Sequence, residues 1–470
     1  MATTLAQKPL YSILPVGQEV IFAVTNAPIV SAYTRVKMIA EVYISDIPIV
    51  IASSSPIGTF KTTPNNTGTA IFDLSTIVES YVKSDNLAAV GSEYKGTATS
   101  ATVSHPLHLI DAYSINDNVV RYLKVRFTTE YLDTSATPVV IVTDGTEVIS
   151  SEFTLFNGYL KYTDKINISS SDFGFDTTVF QLNPVAVFGD VVGRFITNAP
   201  MTQYANKGDY GTISMLTNLT TAADELDFVT FKYYGDSGQI GSPETISRSL
   251  ANGAFDTNSG NTKDQILHLG CYPANIRNWS STFRGLIDSE TVTYYTVSLH
   301  NAAGAVVSFV LTINVLCPTL KGYEPIRVTW INQWGVWDYY TFNMKSIKSI
   351  STKGSTYQQQ AGTWNESTYR ADSYKGGKKA FRVNAMEKIT MNTDFVNESE
   401  SEWFEEFINS PEAYILDVYQ TDVATAALNT YVTPVRLTTS SFTKKTIAND
   451  KLMQYTFEVE KSKTLRTQAV

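Results

Sequence analysis

Cysteine and histidine are scarce in this chain of 470 residues. The two cysteines, Cys271 and Cys317, are too few for the disulfide framework of a small secreted domain, and both a disulfide and two buried thiols fit them. Of the four histidines, His105 and His108 lie close together, whereas a zinc site needs three or four ligands. We therefore expect no metal site and no cofactor.

Long apolar runs and a positive net charge are also missing. No stretch of about 20 apolar residues occurs, so we expect no membrane span, and no basic segment followed by an apolar one suggests a secretion signal. The net charge of −9 argues against nucleic acid as a partner. The acidic excess lies in the first 320 residues, which hold 18 basic and 28 acidic side chains, whereas residues 321–470 hold 18 and 17.

The motifs of common catalytic sites are absent as well. Neither Gly-x-Ser-x-Gly, nor His-Glu-x-x-His, nor a glycine-rich phosphate loop occurs. Glu402, Glu405 and Glu406 could be taken for the carboxylate pair of a glycosidase, but they fit the solvated side of an amphipathic helix better. The missing signals favour a structural or binding protein over an enzyme.

Aromatic and strand-forming residues dominate what is present. With 43% hydrophobic and 17% charged residues, 27 tyrosines and 23 phenylalanines, the composition is that of a folded, strand-rich protein. Alternating runs between turn residues predict an all-β fold with a few short helices. We predict several β-sandwich or immunoglobulin-like units and a C-terminal β-rich domain with one amphipathic helix. The predicted parts are two β-sandwich domains at 1–155 and 211–318, a connecting segment at 156–210, and the C-terminal domain at 319–470.

Local patterns in the first domain give four finer predictions. We expect Ile49–Ala52 to be a short strand and Asp73 to cap a helix. The dipeptide Asp144-Gly145 is expected to turn a hairpin between the strands on either side of it. Residues 86–118 are polar, and we expect them to form a long loop.

The densest aromatic stretch is residues 324–345, which hold three of the six tryptophans. Its alternation predicts a β-hairpin around a turn at Asn332–Gly335, where the glycine is free to adopt a positive φ. The rings alternate between the two faces, which disfavours one flat platform for stacking on sugars. Four aromatic residues of this hairpin are candidates for a domain core or an interface: Trp330, Trp334, Trp337 and Tyr340.

The clearest helix signal follows in the C-terminal domain. Ser399 and Glu402 have the spacing of a capping box, and the predicted helix runs to Asn409. Trp403 and Phe407 lie on its apolar side, one turn apart. They complete the set of candidates for a core or an interface.

Four segments of the chain carry a resemblance. Trp330 to Phe342 reads W-x-N-x-x-G-x-W-D-x-Y-x-F, and Glu400 to Tyr414 reads E-x-E-W-x-x-x-x-x-x-S-P-x-x-Y. Asn449 to Glu460 reads N-D-K-L-x-x-Y-x-F-E-V-E after a Pro-Val strand at Pro434, and Gly68 to Val78 reads G-T-A-I-F-D-L-S-T-I-V. These segments resemble virion structural proteins of tailed phages that infect Bacteroidetes, crAss-like phages included. The resemblance implies a tail, ring or neck component of a virion that is assembled in the host cytoplasm, and it implies no active site.

Polar residues 351–377 are expected to form an extended arm. Several all-β units with such arms leave open sheet edges, and proteins cover or pair such edges. The predicted partners are further copies of the chain, arranged as a homo-oligomeric ring, and other virion proteins. The alternatives are a receptor- or glycan-binding virion protein and, as a third choice, a glycoside-active enzyme.

Overall fold

The structure is a computed structural model that describes residues 2–82, 94–96, 113–116, 119–161, 164, 167–168, 173–174, 180, 193–216, 226–247, 266–316, 322–363, 366–370, 373–417, 432–439, 441, 443 and 453–466. These residues form 28 strands and five short helices. The predicted all-β fold class is therefore confirmed.

The helices are α1 (Ala27–Ala32), α2 (Ser75–Tyr81), α3 (Pro273–Trp279), α4 (Ser281–Asp288) and α5 (Glu398–Asn409). The strands up to residue 316 are β1 (Thr4–Gln7), β2 (Ile13–Gly17), β3 (Ile21–Thr25), β4 (Thr34–Ser45), β5 (Gly58–Thr62), β6 (Thr69–Asp73), β7 (Tyr94–Gly96), β8 (Tyr113–Asn116), β9 (Arg121–Asp133), β10 (Val140–Thr143), β11 (Val148–Ile149), β12 (Phe153–Tyr159), β13 (Asn167–Ile168), β14 (Phe173–Gly174), β15 (Thr202–Asn206), β16 (Thr212–Leu216), β17 (Phe228–Gly235), β18 (Gly238–Ser247), β19 (Ile266–Gly270), β20 (Tyr294–His300) and β21 (Leu311–Leu316). The later strands are β22 (Ile326–Ile331), β23 (Trp337–Phe342), β24 (Ile347–Gln359), β25 (Gly377–Asn392), β26 (Ala413–Leu416), β27 (Val432–Leu437) and β28 (Thr456–Lys461).

The chain divides into two compact units. The first unit comprises residues 1–316, 331–338 and 419–421, and the second comprises the remainder from residue 317 onward. This division does not test the finer boundaries at 155, 210 and 318, which stay a prediction.

A sandwich of two sheets forms the N-terminal core of the first unit. One sheet has the order β1-β3-β6, and the other has the order β2-β12-β9-β4-β5, with β10 and β11 also paired to β9. The inward faces meet at Phe127, whose ring lies 5.5 Å from that of Phe22 and 5.7 Å from that of Phe72. Val78 of α2 is fully buried in the same core. Asp73 lies one residue before the N-cap position, Leu74, and its carboxylate accepts a hydrogen bond from the Ser75 N–H.

The strand prediction for Ile49–Ala52 is wrong. The backbone turns there instead, and the N–H groups of Ser53 and Ser54 both donate to the carbonyl of Val50 at 3.0 Å. Ile49 is buried against two aromatic side chains, Tyr43 and Tyr122. Its apolar character therefore reflects packing of a loop on the sheet rather than membership of a strand.

The hairpin prediction at Asp144-Gly145 is also wrong. The strands on its two sides, β10 and β11, both pair antiparallel with β9 rather than with each other. The Asp144 N–H donates to the Thr129 carbonyl at 2.7 Å, which keeps the chain along β9. Both segments thus lie along the same edge of β9, so the dipeptide interrupts this edge instead of reversing it.

A five-stranded sheet with the order β15-β21-β20-β17-β18 forms a second core of the first unit. Phe283 of α4 packs on it, with its ring 5.0 Å from Tyr233 and 5.4 Å from Tyr295. Neither α3 nor α4 was predicted from the sequence. Their start signals are Pro273 in the first turn of α3 and Ser280, whose side chain accepts the Phe283 N–H at 2.9 Å.

The predicted loop at 86–118 contains two strands. β7 and β8 complete a four-stranded sheet with the order β16-β19-β8-β7, in which β8 pairs antiparallel with β19. The prediction is therefore wrong for 94–96 and 113–116. The rest of the segment, including His105 and His108, lies outside the described residues, so the loop prediction stays open there.

The second unit is built on a seven-stranded sheet with the order β23-β22-β26-β27-β28-β25-β24. The pairings of β22 with β26, of β26 with β27, and of β27 with β28 are all antiparallel. α5 packs on one face of this sheet through its aromatic side chains. The longest described helix is α5, with 12 residues, and no helix in the described ranges has the length and hydropathy of a membrane span.

Candidate functional site

The aromatic hairpin consists of β22 and β23, joined by the turn that the sequence predicts. The Asn332 side-chain oxygen accepts the N–H groups of Trp334 at 3.0 Å and Val336 at 3.2 Å, which fixes the turn. Gly335 has φ +75°, and a Cβ at this position would overlap the backbone carbonyl oxygen of Asn157. The glycine is therefore needed both for the turn and for this close approach.

The tip of the hairpin, residues 331–338, belongs to the first unit. The ring of Trp334 lies 4.9 Å from that of Phe180 and 6.4 Å from that of Phe156, and its indole N–H donates to Asn198 at 3.2 Å. Trp337, at the end of the tip, is buried as well. Both tryptophans are thus part of the interior of the first unit.

The base of the hairpin belongs to the second unit and contacts α5. The Trp330 ring lies 4.9 Å from that of Trp403 and 5.0 Å from that of Phe407. Tyr340 is half-buried, with its ring 4.8 Å from Phe404, and burial raises the pKa of its hydroxyl. Trp330, Trp403 and Phe407 are at most 3% exposed, so they form a core of the second unit. The three hairpin tryptophans are likewise at most 3% exposed and offer no ring for stacking on a sugar.

The helix α5 begins earlier than the predicted capping box. Its N-cap is Asn397, whose side-chain oxygen accepts the Glu400 N–H at 2.9 Å, while the Glu400 carboxylate accepts the Asn397 N–H at 2.9 Å. The predicted box at Ser399 is wrong, because the Ser399 hydroxyl donates to the Asn397 side chain instead. Burial raises the pKa of Glu400, and the hydrogen bond from the Asn397 N–H opposes this shift.

The solvated glutamate side predicted for this helix is only partly present. Glu402 is exposed and Glu405 is half-buried, but Glu406 is buried. Ser401 is buried too, with its hydroxyl 2.6 Å from that of Tyr455. The helix therefore contacts protein on more than its aromatic stripe, which a single-helix pattern cannot indicate.

Of the predicted arm at 351–377, residues 351–359 lie in β24, which forms a two-stranded ribbon with β25, here called the ribbon. β25 pairs with β28 only at residues 388–392, whereas residues 377–387 pair with β24 alone, apart from one bridge between Ala385 and Leu465. β24 is the edge strand of the sheet, and all its side chains except the last are exposed. At about 3.4 Å per residue, the part of β25 beyond β28 extends roughly 35 Å.

One face of the distal ribbon is cationic and aromatic. Lys353 and Tyr357 lie four residues apart on β24 and so share a face, and Tyr357 is opposite Lys379. Arg382 is opposite Ser355 on the same face, and the Phe381 ring lies 6.5 Å from that of Tyr357. We call these five side chains, Lys353, Tyr357, Lys379, Phe381 and Arg382, the cationic face.

Sequence reasoning missed the cationic face. Its signal was a local charge excess: β24 and β25 hold six Lys and Arg side chains and one Glu, a net charge of +5 in a chain of −9. Alternation alone would have assigned Phe381 and Arg382 to opposite faces. The register shift next to Ser355, which inserts Phe381 as an extra residue, brings them together.

A buried serine–histidine pair lies elsewhere in the first unit. Nδ1 of His268 is 2.8 Å from the hydroxyl of Ser214, and its Nε2 has no partner among the described residues. Burial lowers the pKa of His268 to about 3. A catalytic serine must reach its substrate, whereas both these side chains are buried. The pair is therefore a structural feature of this core.

A shallow depression of about 430 Å³ in the first unit is lined in part by Tyr33, Arg35 and Lys37. The Tyr33 ring lies 4.0 Å from that of Tyr131, which covers one of its faces. No group of three metal-ligating side chains occurs in the part of the chain that the structure describes. Cys271 is buried, and Cys317 lies outside the described residues, so their pairing stays open.

Comparisons with known proteins add little to this geometry. No protein-family model matches the chain, and no curated protein matches it. Among solved structures, it is similar to the native conformation of E. coli alpha-2-macroglobulin, with 11% sequence identity and a TM-score of 0.17. The match covers 83% of this chain and 21% of that chain, so this chain spans about a fifth of the structure it matches. A TM-score this low carries no inference.

Proposed function

We propose that the chain is a structural component of a tailed bacteriophage virion, in a tail, ring or neck assembly. Its role is to pack against other subunits, and its partners are further copies of itself and other virion proteins. The resemblance of four sequence segments to virion proteins of Bacteroidetes phages supports this proposal. An all-β architecture of several sheets is compatible with such a role.

The exposed ribbon is the observation that carries the proposal. A long edge strand presents a row of backbone N–H and C=O groups that another chain can pair with. β24 has 13 residues and pairs with β25 only, so its outer edge is open among the described residues. Such an edge suits a protein whose neighbours in an assembly cover it.

Self-assembly of the purified full-length chain tests the proposal. Light scattering at micromolar concentration is expected to give a mass of several chains, and electron microscopy of the same sample is expected to show closed rings. A monomer in solution, together with its absence from purified phage particles, would contradict the proposal. Hydrolysis of a polysaccharide panel by the monomer would instead support the enzymatic alternative.

A further inference from the structure

The ribbon has a charge opposite to that of the rest of the chain. Its two strands carry six basic side chains and one acidic one, whereas the chain as a whole carries −9. Subtracting the +5 of the ribbon from −9 leaves −14 on the remaining residues. The first 320 residues alone account for 18 basic and 28 acidic side chains, a net charge of −10.

The cations near the sheet form ion pairs within the chain, whereas Lys353, Lys379 and Arg382 of the distal ribbon form none among the described residues. Lys348 forms an ion pair with Glu324 at 2.8 Å, and Lys388 forms one with Glu458 at 3.0 Å. On the cationic face, Lys379 donates to a backbone carbonyl and Arg382 donates to the Asn384 side chain. Within the described ranges, none of Lys353, Lys379 and Arg382 has a carboxylate partner.

The same face carries apolar area next to its charges. Phe381 is 57% exposed and Tyr357 is 44% exposed, and aromatic side chains beside arginine are typical of the anchors of protein interfaces. On the opposite face, Ile350 and Val383 are also exposed. Duplex DNA, whose bases are stacked on one another, would use the cations but not the exposed apolar side chains or the open backbone edge of β24, so these features favour a protein partner over a duplex.

We infer that the cationic face docks on the acidic surface of a second copy of this chain. Each copy supplies both partners of the contact, a ribbon of +5 and a remainder of −14, so one interface can repeat around a ring. This inference rests on the self-assembly that we propose above, and it assigns the contact to Lys353, Lys379 and Arg382. Phe381 and Tyr357 form its apolar centre.

A pair of charge-reversal variants of the full chain tests the inference. Lys353→Glu with Lys379→Glu changes the cationic face, and Lys37→Glu with Lys232→Glu makes the same change in net charge in the first unit. Sedimentation over a concentration series measures the dissociation constant of each. The ribbon variant is expected to bind at least about tenfold more weakly than the wild type, because attraction becomes repulsion. The control variant is expected to bind as tightly as the wild type or more tightly.

Salt dependence tests the inference without any substitution. Raising the ionic strength from about 0.1 to about 1 M screens surface charges and is expected to weaken the wild-type assembly. An assembly that resists both salt and the ribbon reversal would overturn the inference while leaving the proposed function intact. A wild type that stays monomeric would overturn the inference, and its absence from purified phage particles as well would overturn the proposed function.

A mobility-shift assay with duplex DNA separates the competing partner. The wild type is expected not to bind DNA at an ionic strength where it self-assembles. DNA binding that is lost in the Lys353→Glu, Lys379→Glu variant, without a change in self-assembly, would overturn the inference in favour of a polyanion. Circular dichroism spectra of all variants establish that each is folded.

Discussion

The strand β25 passes through two environments that differ in burial and in the strands that pair with it. At its C-terminal end, Ile389 and Met391 are buried in the second unit, where β28 pairs alongside. Farther out, Phe381 and Val383 are exposed, and β24 is the main neighbour. The same strand thus carries apolar side chains in both places, but only one of them has protein to cover it. Burial is decided by the neighbours of a strand, not by its own pattern.

Because of this difference, removing an aromatic ring is expected to lower the unfolding free energy strongly in the core and hardly at all on the ribbon. Trp403→Ala empties a site lined by Trp330, Tyr340 and Phe404, so we expect a loss of ~3–5 kcal/mol in unfolding free energy. Phe381→Ala on the ribbon is expected to change it by less than ~0.5 kcal/mol in the monomer. Chemical denaturation of both variants measures this, and equal effects would erase the distinction between core and ribbon.

Lowering the pH is expected to destabilise the folded protein through the buried side chain of His268. The folded-state pKa of His268 is lowered to about 3, below its ordinary value, so the unfolded chain binds a proton more readily. The contribution of the neutral His268 ring to the unfolding free energy is complete above about pH 6.5. It falls as the pH decreases toward 3, and the loss reaches ~3 kcal/mol at about pH 4. Unfolding free energies of the wild type and His268→Gln across this range should show a steeper slope for the wild type. Parallel slopes would contradict the buried, neutral state of this ring.

Alanine substitutions at two glycines with similar φ angles test whether a Cβ destabilises a crowded turn more than an open one. Gly335 has φ +75° and approaches the Asn157 backbone, whereas Gly304 has φ +80° and open space where a Cβ would stand. Gly335→Ala is expected to destabilise by ~2–3 kcal/mol and Gly304→Ala by only ~1 kcal/mol. Thermal unfolding of the two variants measures the difference. Equal losses would mean that the hairpin tip is not held against Asn157.

Removing a positive charge from the ribbon is expected to have the smallest effect on the unfolding free energy. Lys353 has no ion pair within the described ranges, so Lys353→Gln should leave the unfolding free energy of the monomer within ~0.5 kcal/mol. Lys388→Gln removes a surface pair with Glu458 and is expected to cost no more than ~1 kcal/mol. A larger loss for Lys353→Gln, measured by denaturation, would indicate a structural role for the cationic face.

Local pattern was enough to predict the aromatic hairpin and the apolar side of α5. Period-2 alternation and the turn at Gly335 indicated the hairpin, and helical spacing placed Trp403 and Phe407 on one side of the helix. The errors arise where distant neighbours decide. Asp144-Gly145 is a typical turn dipeptide, yet the strands on both sides of it pair with β9. Glu406 is buried, although helical spacing placed it on the solvated side of the helix. The cationic face depends on a register shift that no local pattern encodes.

Hydrogen–deuterium exchange as a function of protein concentration tests the central claim most directly. The claim is that the ribbon is uncovered in a single chain and becomes covered by a second copy. Peptides from 347–359 and 377–387 are expected to exchange quickly in dilute protein and slowly at assembling concentration, while peptides from 398–409 stay protected throughout. Exchange of the ribbon that does not change with concentration, in a sample that assembles, would contradict the claim.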